Sequence, residues 1–490
     1  MMTLFLNLRK EQKQYGERMD NFIPTMGLEV HAQVKSKSKI FCRCATDFSE
    51  KPNTNICPIC MGFPGVMPSI NEEVVKKAVK AGMALNCRIN LRSGFARKNY
   101  FYPDLPKGYQ ITQFKVPVAE NGFVILSNGK KIRIRRLHIE EDTGKMIHDQ
   151  NEDTLIDFNR AGVPLIEIVT EPDFESSAEA VEYMNRIREI LRYTEVSDAN
   201  MEMGELRGEP NISVRRNMVD MLGTKTEIKN LNSLKAIEKG IDFEIERQSR
   251  LLKEGREVLS ETMLYNEKKQ EVIPMRKKES ASEYRYFIEP DLPDLIIEEA
   301  FIESVKKEMP ELPEEKRVRF IKQYNVSRIE SEILSSEKSL ADFFEEAIKN
   351  IKQTKRCVNF FIREIPAILN SKSIDSAELK FSASDFNELL REIDSESVNL
   401  NSAQIVLSEM SEGRGKAEEI IERMNLKQTN DDFKAMELIK EIIEENPKEV
   451  ERYKKGEEKL FGVLVGLCMK KAKGSISPAA INKILKEMLK

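Results

Sequence analysis

Apolar and polar positions alternate from Leu28 to Val34. Leu28, Val30, Ala32 and Val34 fall on one face of a strand, and Glu29, His31 and Gln33 on the other. One face is able to bury while the other presents a carboxylate and an imidazole roughly 7 Å apart. By itself the stretch reads equally well as a solvated edge face. A helical period follows Asn71, with Val74, Val75, Ala78 and Val79 as its buried stripe to about Asn86. Residues 120–140 predict a hairpin turning at Asn128-Gly129, whose second strand, Lys131 to Glu140, alternates again. Residues 164–170 form an apolar run interrupted only by Glu167. Ser176-x-x-Glu179 reads as a capping box for a helix to about Tyr193, and residues 227–233 lead into a long helix that Gly255 ends. From about residue 297 the pattern is helical alone, with Pro310 and Pro313 marking a junction and residues 411–415 a second linker. An α+β chain is predicted. It has an extension over 1–24, a β-rich domain over 25–297, a helical domain over 298–412 and a helical tail domain over 413–490.

At 490 residues the chain is too long for one core. Its net charge of −4 excludes a global basic field for nucleic acid. A local patch exists instead. Residues 451–490 carry ten Lys/Arg and four Asp/Glu, a balance of +6 that leaves −10 for the rest. Within it, Lys470, Lys471 and Lys473 are candidates for meeting RNA phosphates. No window approaches 18 uninterrupted apolar residues, so no membrane partner is expected. Met1–Leu6 is too short for a signal segment.

Four of the seven cysteines lie within 19 residues, as Cys42-x-Cys44 and Cys57-x2-Cys60. Two close thiol pairs across a short loop wrap one tetrahedral zinc, and four thiolates make a closed, structural site. The other three cysteines are scattered, which fits a reducing compartment, the cytoplasm. The stretch Arg97–Gln113 is dense in rings, amides and cations, with Lys98, Tyr100 and Tyr102 as candidate substrate or nucleotide contacts. A packed Pro/Tyr turn is the competing reading. Glu140-Glu141-Asp142 beside Gly144 suits a magnesium or calcium corner, although acidic runs are more often solvated. Glu167, inside an apolar run, must be paired, protonated or ligating a metal. Neither G-x4-G-K-[ST] nor a GxGxxG opening a helix occurs, so any nucleotide binds on a different scaffold.

Several stretches occur in a telling order. They are Gly27-Leu-Glu-Val-His31, the paired cysteines, Arg97-Lys-Asn-Tyr-Phe-Tyr-Pro-Asp104, Leu137-His-Ile-Glu-Glu-Asp142, Pro164-Leu-Ile-Glu-Ile168, Lys229-Asn-Leu-Asn-Ser233, Tyr284-Arg-Tyr-Phe287 and Val465 through Gly474. Together, over about residues 25–490, they closely resemble the B-subunit family of the tRNA-dependent aspartyl/glutamyl amidotransferases. The resemblance implies a β-rich cradle of mostly antiparallel sheet, a helical domain and a tail reaching tRNA. It implies a heterotrimer with an amidase (the A chain) and a small C chain as partners. It also implies ATP-dependent phosphorylation of Glu on tRNA-Gln or Asp on tRNA-Asn, followed by attack of ammonia released from glutamine. His31, Glu141 and Glu167 match the family's magnesium ligands, with Glu29 and Glu140 beside them as catalytic candidates. The four cysteines match its zinc-binding form. Where the family carries Cys-Asp-Ala/Val-Asn, this chain has Arg207-Gly-Glu-Pro-Asn211. Glu209 is therefore carried as the pocket acid, on a longer arm, with Arg207 as a nearby contact. A rival reading is a non-catalytic tRNA-binding module built on the zinc loop and basic tail. The acidic set argues against it, since a pure RNA binder has no use for an acidic pocket.

Overall fold

The computed structural model describes residues 22–489 except 48–50, 149–152, 218–220, 268, 270, 278–282, 428–431 and 473–477. The chain divides into two compact units, one ending at Leu312 and one spanning Pro313–Lys490. Of the extension expected over 1–24, residues up to 21 lie outside the described residues, and Ile23 and Pro24 already belong to the first strand.

The first unit contains strands β1 (Ile23–Gln33), β2 (Arg88–Ile89), β3 (Arg92–Ser93), β4 (Ala96–Asn99), β5 (Tyr109–Thr112), β6 (Ala119–Ile125), β7 (Lys131–Glu141), β8 (Lys145–His148), β9 (Thr154–Asp157), β10 (Pro164–Thr170), β11 (Leu206–Arg215), β12 (Thr226–Lys229), β13 (Glu261–Asn266), β14 (Glu271–Lys277), β15 (Phe287–Ile288) and β16 (Leu295–Ile296). Its helices are α1 (Glu72–Ala84), α2 (Ser177–Tyr193), α3 (Leu234–Lys253) and α4 (Glu299–Lys307). Nine strands make one sheet in the order β14-β13-β12-β11-β1-β10-β7-β6-β2. Every neighbouring pair in it is antiparallel except β12 and β13.

Met26, Leu28, Val30 and Ala32 of β1 are buried in one core with Val75 and Val79 of α1, Tyr183 and Ile187 of α2, and Ile237 and Ile241 of α3. Each such aliphatic side chain contributes about 1.5–3 kcal/mol on burial. Side chains of α2 and α3 press on β11 at Gly208, where a Cβ would stand 3.0 Å from the end of Met184 and 3.1 Å from Ile237. Asn71 caps α1 by accepting from the N–H groups of Glu73 and Val74. Ser176 caps α2 from the Glu179 N–H, but the Glu179 carboxylate accepts from the Glu175 N–H at 2.9 Å, one residue outside a reciprocal box.

Two irregularities shape the sheet. Val169 pairs with Arg136 while Thr170 pairs with Ile134, so Arg135 is an extra residue in β7. This bulge switches the strand's phase: Ile132 and Ile134 are buried before it, Leu137 and Ile139 after it. On β11, the ladder to β12 holds at Ile212 and Asn211 and stops at Pro210, which has no N–H to donate. The ring-rich stretch at 97–113 is itself a hairpin. β4 and β5 pair over Ala96–Asn99 and Tyr109–Thr112, and the prolines gather in its turn.

The second unit is helical throughout its described residues. One core is built by α5 (Pro313–Tyr324), α6 (Arg328–Leu334), α7 (Lys338–Ala347), α8 (Thr354–Lys372), α9 (Ala383–Asp394), α10 (Leu400–Ser411) and α11 (Ala417–Arg423). Residues 411–415, expected as a linker, join α10 to α11 inside this core, because Ala417, Ile420 and Ile421 bury with Phe386 and Leu389. A second core belongs to α12 (Asp432–Glu445), α13 (Pro447–Lys454), α14 (Lys459–Ala472) and α15 (Pro478–Met488), around Ile439, Leu464 and Leu485. Among the described residues no helix is long and apolar enough to cross a membrane.

Candidate active site

The sheet face turned away from the core carries polar side chains in rows. His31 stands opposite Arg207 on β11 and Glu167 on β10, and Glu167 stands opposite His138 on β7. One step along, Glu29 stands opposite Glu209. These groups and Glu140 line a cleft of about 680 Å³, together with Lys98, Tyr100, Tyr284 and Tyr286. The phase switch at Arg135 is what turns His138 and Glu140 to this face.

His31 Nε2 lies 3.5 Å from both Glu140 Oε1 and Glu167 Oε2. His138 Nε2 lies 3.1 Å from the same Glu167 oxygen. One ligating atom each from His31, Glu140 and Glu167 falls within 4.8 Å of the others, as does one each from Glu29, Glu209 and Glu227. Lys229 Nζ donates to Glu209 at 2.8 Å and stands 3.4 Å from Glu227, and Asn211 donates to Glu29 at 3.1 Å.

Burial opposes the charge of Glu167, but His138 and His31 outweigh it and hold its carboxyl well below the usual range. Burial likewise opposes an imidazolium at His31, yet Glu167, then Glu140 and Glu209, raise it to about 9. Glu209 is held down to about 2, burial being overcome by Lys229 and His31. Arg136 Nε, His138 Nδ1 and Arg207 Nε, all on cleft-lining residues, are buried without a hydrogen-bond partner. A mixed imidazole and carboxylate set suits a hard divalent cation.

Not every expected residue arrives here. Glu141 points to the opposite face, since neighbours on a strand alternate. Its carboxylate pairs with Lys107 Nζ and accepts the Ile111 N–H at 2.9 Å, in a cavity shared with Lys39, Cys42 and Cys60. The side chains that come together are thus His31, Glu140 and Glu167, with Glu140 in the place where Glu141 was expected. Tyr102 is 45% exposed at the tip of the β4–β5 turn, away from the cleft lining. Lys98 and Tyr100 do line the cleft, and Lys98 Nζ sits 4.9 Å above the Tyr284 ring. Arg207 lines it too and donates to Asp142 at 2.9 Å. Sequence reasoning missed His138, Lys229 and Glu227 as site residues. The doubled Arg135-Arg136 in an otherwise alternating strand was the signal for the first of these.

Cys42, Cys44, Cys57 and Cys60 each bring a sulfur within 4.8 Å of the others. The ammonium of buried Lys39 reaches within 3.9 Å of Cys60 Sγ. The Cys60 thiol is drawn down to about 5, chiefly by its hydrogen bond with Cys42 and further by Lys39, while burial pushes Cys44 up to about 11. A cation beside clustered thiols, one of them readily ionised, fits a four-thiolate metal site. The loop is pinned to the turn entering β10, with the Ile40 N–H donating to Gly162 O at 3.1 Å and the Asn55 N–H to Asn159 Oδ1 at 2.8 Å.

In the tail, Lys471 lies between Glu441 at 2.9 Å and Glu445 at 2.7 Å, so its charge is partly met within the chain. Lys470 precedes it in the last turn of α14, and Lys473 lies outside the described residues.

A sheet cradle with an acidic, metal-competent cleft, joined in one chain to a helical unit, matches two known sequence families. The GatB/GatE catalytic domain covers residues 24–303, and the GatB domain covers 342–489. The chain is 47% identical over 468 residues to the B subunit of the aspartyl/glutamyl-tRNA(Asn/Gln) amidotransferase of Thermodesulfovibrio yellowstonii, covering 95% of this chain and 98% of that one. It is 43% identical over 473 residues to the protein of the same name from Persephonella marina, covering 96% and 100%. The chain belongs to the family of aspartyl/glutamyl-tRNA(Asn/Gln) amidotransferase B subunits.

Proposed function

We propose that this chain activates the side-chain carboxylate of Glu on tRNA-Gln, of Asp on tRNA-Asn, or of both, using ATP, and completes the amide with ammonia supplied by an amidase partner. The observation that carries the reading is the convergence of His31, Glu140 and Glu167, from three strands, in a cleft that also holds Lys98 and Arg207.

The substrate carboxylate is anionic at neutral pH and attacks the γ-phosphorus of ATP without a general base. The phosphorus–oxygen bond to ADP breaks as the acyl phosphate forms. Ammonia then displaces phosphate from the acyl carbon and loses a proton. Two anions meet in the first step, and the chain's cations oppose their repulsion. Lys98 has its ammonium held in the charged form by Glu140 and Glu167 despite burial, and Arg207 is fixed by Asp142. His31, Glu140 and Glu167 would hold magnesium, which supplies charge neutralisation at the phosphate oxygens. The Cys42, Cys44, Cys57 and Cys60 set would hold a structural zinc. Glu29, Glu209 and Glu227 form the far acidic wall, where Lys229 limits their mutual repulsion. Lys470, Lys471 and Lys473 are proposed as tRNA contacts of the tail, in an assembly with an amidase and a small third protein, in the cytoplasm.

The test is reconstitution with both partner proteins, ATP and each misacylated tRNA. ADP is expected to form only with charged tRNA present. Glu167→Gln is expected to reduce that ADP formation by about 100-fold or more while tRNA affinity stays within about 3-fold. Undiminished ATP-dependent turnover in Glu167→Gln would contradict the assignment.

A further inference from the structure

We propose that His138 is a positioning residue for Glu167, an inference that rests on the reading of Glu167 as a metal ligand. Register places Glu167 between two imidazoles, His31 on one neighbouring strand and His138 on the other. Both rings converge on one carboxylate oxygen, Oε2, and the shorter approach, 3.1 Å against 3.5 Å, belongs to His138. At that distance from a carboxylate, Nε2 carries the proton and donates it. Nδ1 of the same ring is buried with no hydrogen bond. Glu140 Oε2 lies 3.9 Å from the same Nε2, too far for a hydrogen bond, so the ring's close polar engagement is with Glu167. His138 is 2% exposed at the wall of the cleft, behind the Glu167 carboxylate, so it acts chiefly through the carboxylate it holds. A carboxylate fixed at one oxygen by an N–H keeps its rotamer and presents the other oxygen in a set direction, the usual support behind a metal-binding side chain.

The backbone is arranged to deliver this ring. Were Arg135 paired as an ordinary strand residue rather than bulged, β7 would keep the phase of Ile132 and Ile134, and His138 would turn to the buried face. The same phase switch places Glu140 in the ligand set. One bulge thus supplies both a ligand and the support for its neighbour.

The test uses the full-length chain with Mn²⁺ as the probe, followed by electron paramagnetic resonance, the site being defined as the signal that His31→Ala removes. His138→Ala is expected to weaken Mn²⁺ binding there by about 10- to 100-fold, and His138→Gln, whose amide N–H reaches Oε2, to recover most of it. Pulsed measurements are expected to find one histidine nitrogen on the metal in both wild type and His138→Gln. If His138→Ala does not fold, His138→Asn, whose amide falls short of Oε2, takes its place in the comparison with His138→Gln. Wild-type affinity in His138→Ala or His138→Asn overturns the inference, as do two coordinated histidine nitrogens in the wild type, which would make His138 a ligand. A wild-type chain with no Mn²⁺ signal sensitive to His31→Ala overturns the metal reading itself, and this inference with it.

Discussion

Glu209 sits among carboxylates that should repel it, with Glu29 opposite on β1 and Glu227 nearby, and stays ionised because Lys229 reaches it at 2.8 Å. Its carboxyl is depressed to about 2, so its ionised state contributes stability above the ordinary carboxylate range and loses that contribution as pH falls toward 2. Lys229→Met is therefore expected to destabilise the fold by about 2 kcal/mol near pH 7, after allowance for the partly exposed ammonium. The deficit should shrink between about pH 5 and pH 2 as Glu209 takes up its proton, as urea unfolding at a series of pH values would read out. A pH-independent deficit would mean that Lys229 acts by packing. Residue identity at this cleft was largely legible in the sequence: His31 and Glu167 stood out as polar positions on apolar strands. Glu140 and Glu141 could not be told apart by type, and only the phase of the strand decides which one faces the cleft.

At the scale of elements, the β4–β5 hairpin brings Lys98 and Tyr100 to the cleft, and a chain segment far away in sequence brings Tyr284 and Tyr286. Arg97 ties the two together. Its guanidinium donates to Glu289 at 2.8 and 2.9 Å and to Asp291 at 3.0 Å, and the Glu289 side chain is fully enclosed. Arg97→Met would leave that carboxylate buried with no cation and only the Asp291 N–H to meet it, an expected loss of about 3 kcal/mol in the denaturation midpoint analysis. Loss within about 0.5 kcal/mol would show the tie to be dispensable. Helices and hairpin turns followed from local chemistry, as at Asn71, Asn128-Gly129 and Gly255. The bulge at Arg135 left a trace in the doubled Arg135-Arg136, but the pairing of β4 with β15 was not legible, because it is set by a partner distant in sequence. Even the Ser176 cap shows the limit: the sequence motif is present, but its return bond goes to Glu175.

For the whole molecule, the four-cysteine loop is a clasp outside the acidic cleft. It fastens to the turn that launches β10, the strand carrying Glu167. Purified chain is expected to carry one zinc by elemental analysis. Cys60→Ser should lose it and unfold at a lower temperature, since metal binding at such a loop is coupled to folding. A Cys60→Ser chain that retains stoichiometric zinc would show that the loop is not a metal clasp. Two of the three regions proposed to carry function were visible as composition, the clustered cysteines and the basic tail. The acidic cleft was not, because its members come from five strands spread over two hundred residues.

The most direct test of the central claim compares two adjacent carboxylates in the reconstituted enzyme. Glu140 faces His31 and Glu167, whereas Glu141 faces Lys107 on the other side of the sheet. With charged tRNA and ATP, Glu140→Gln is expected to lose ADP formation by about 100-fold or more, while Glu141→Gln keeps it within about 10-fold. The reverse order, with Glu141→Gln failing to form ADP and Glu140→Gln forming it normally, would contradict the assignment of the cleft.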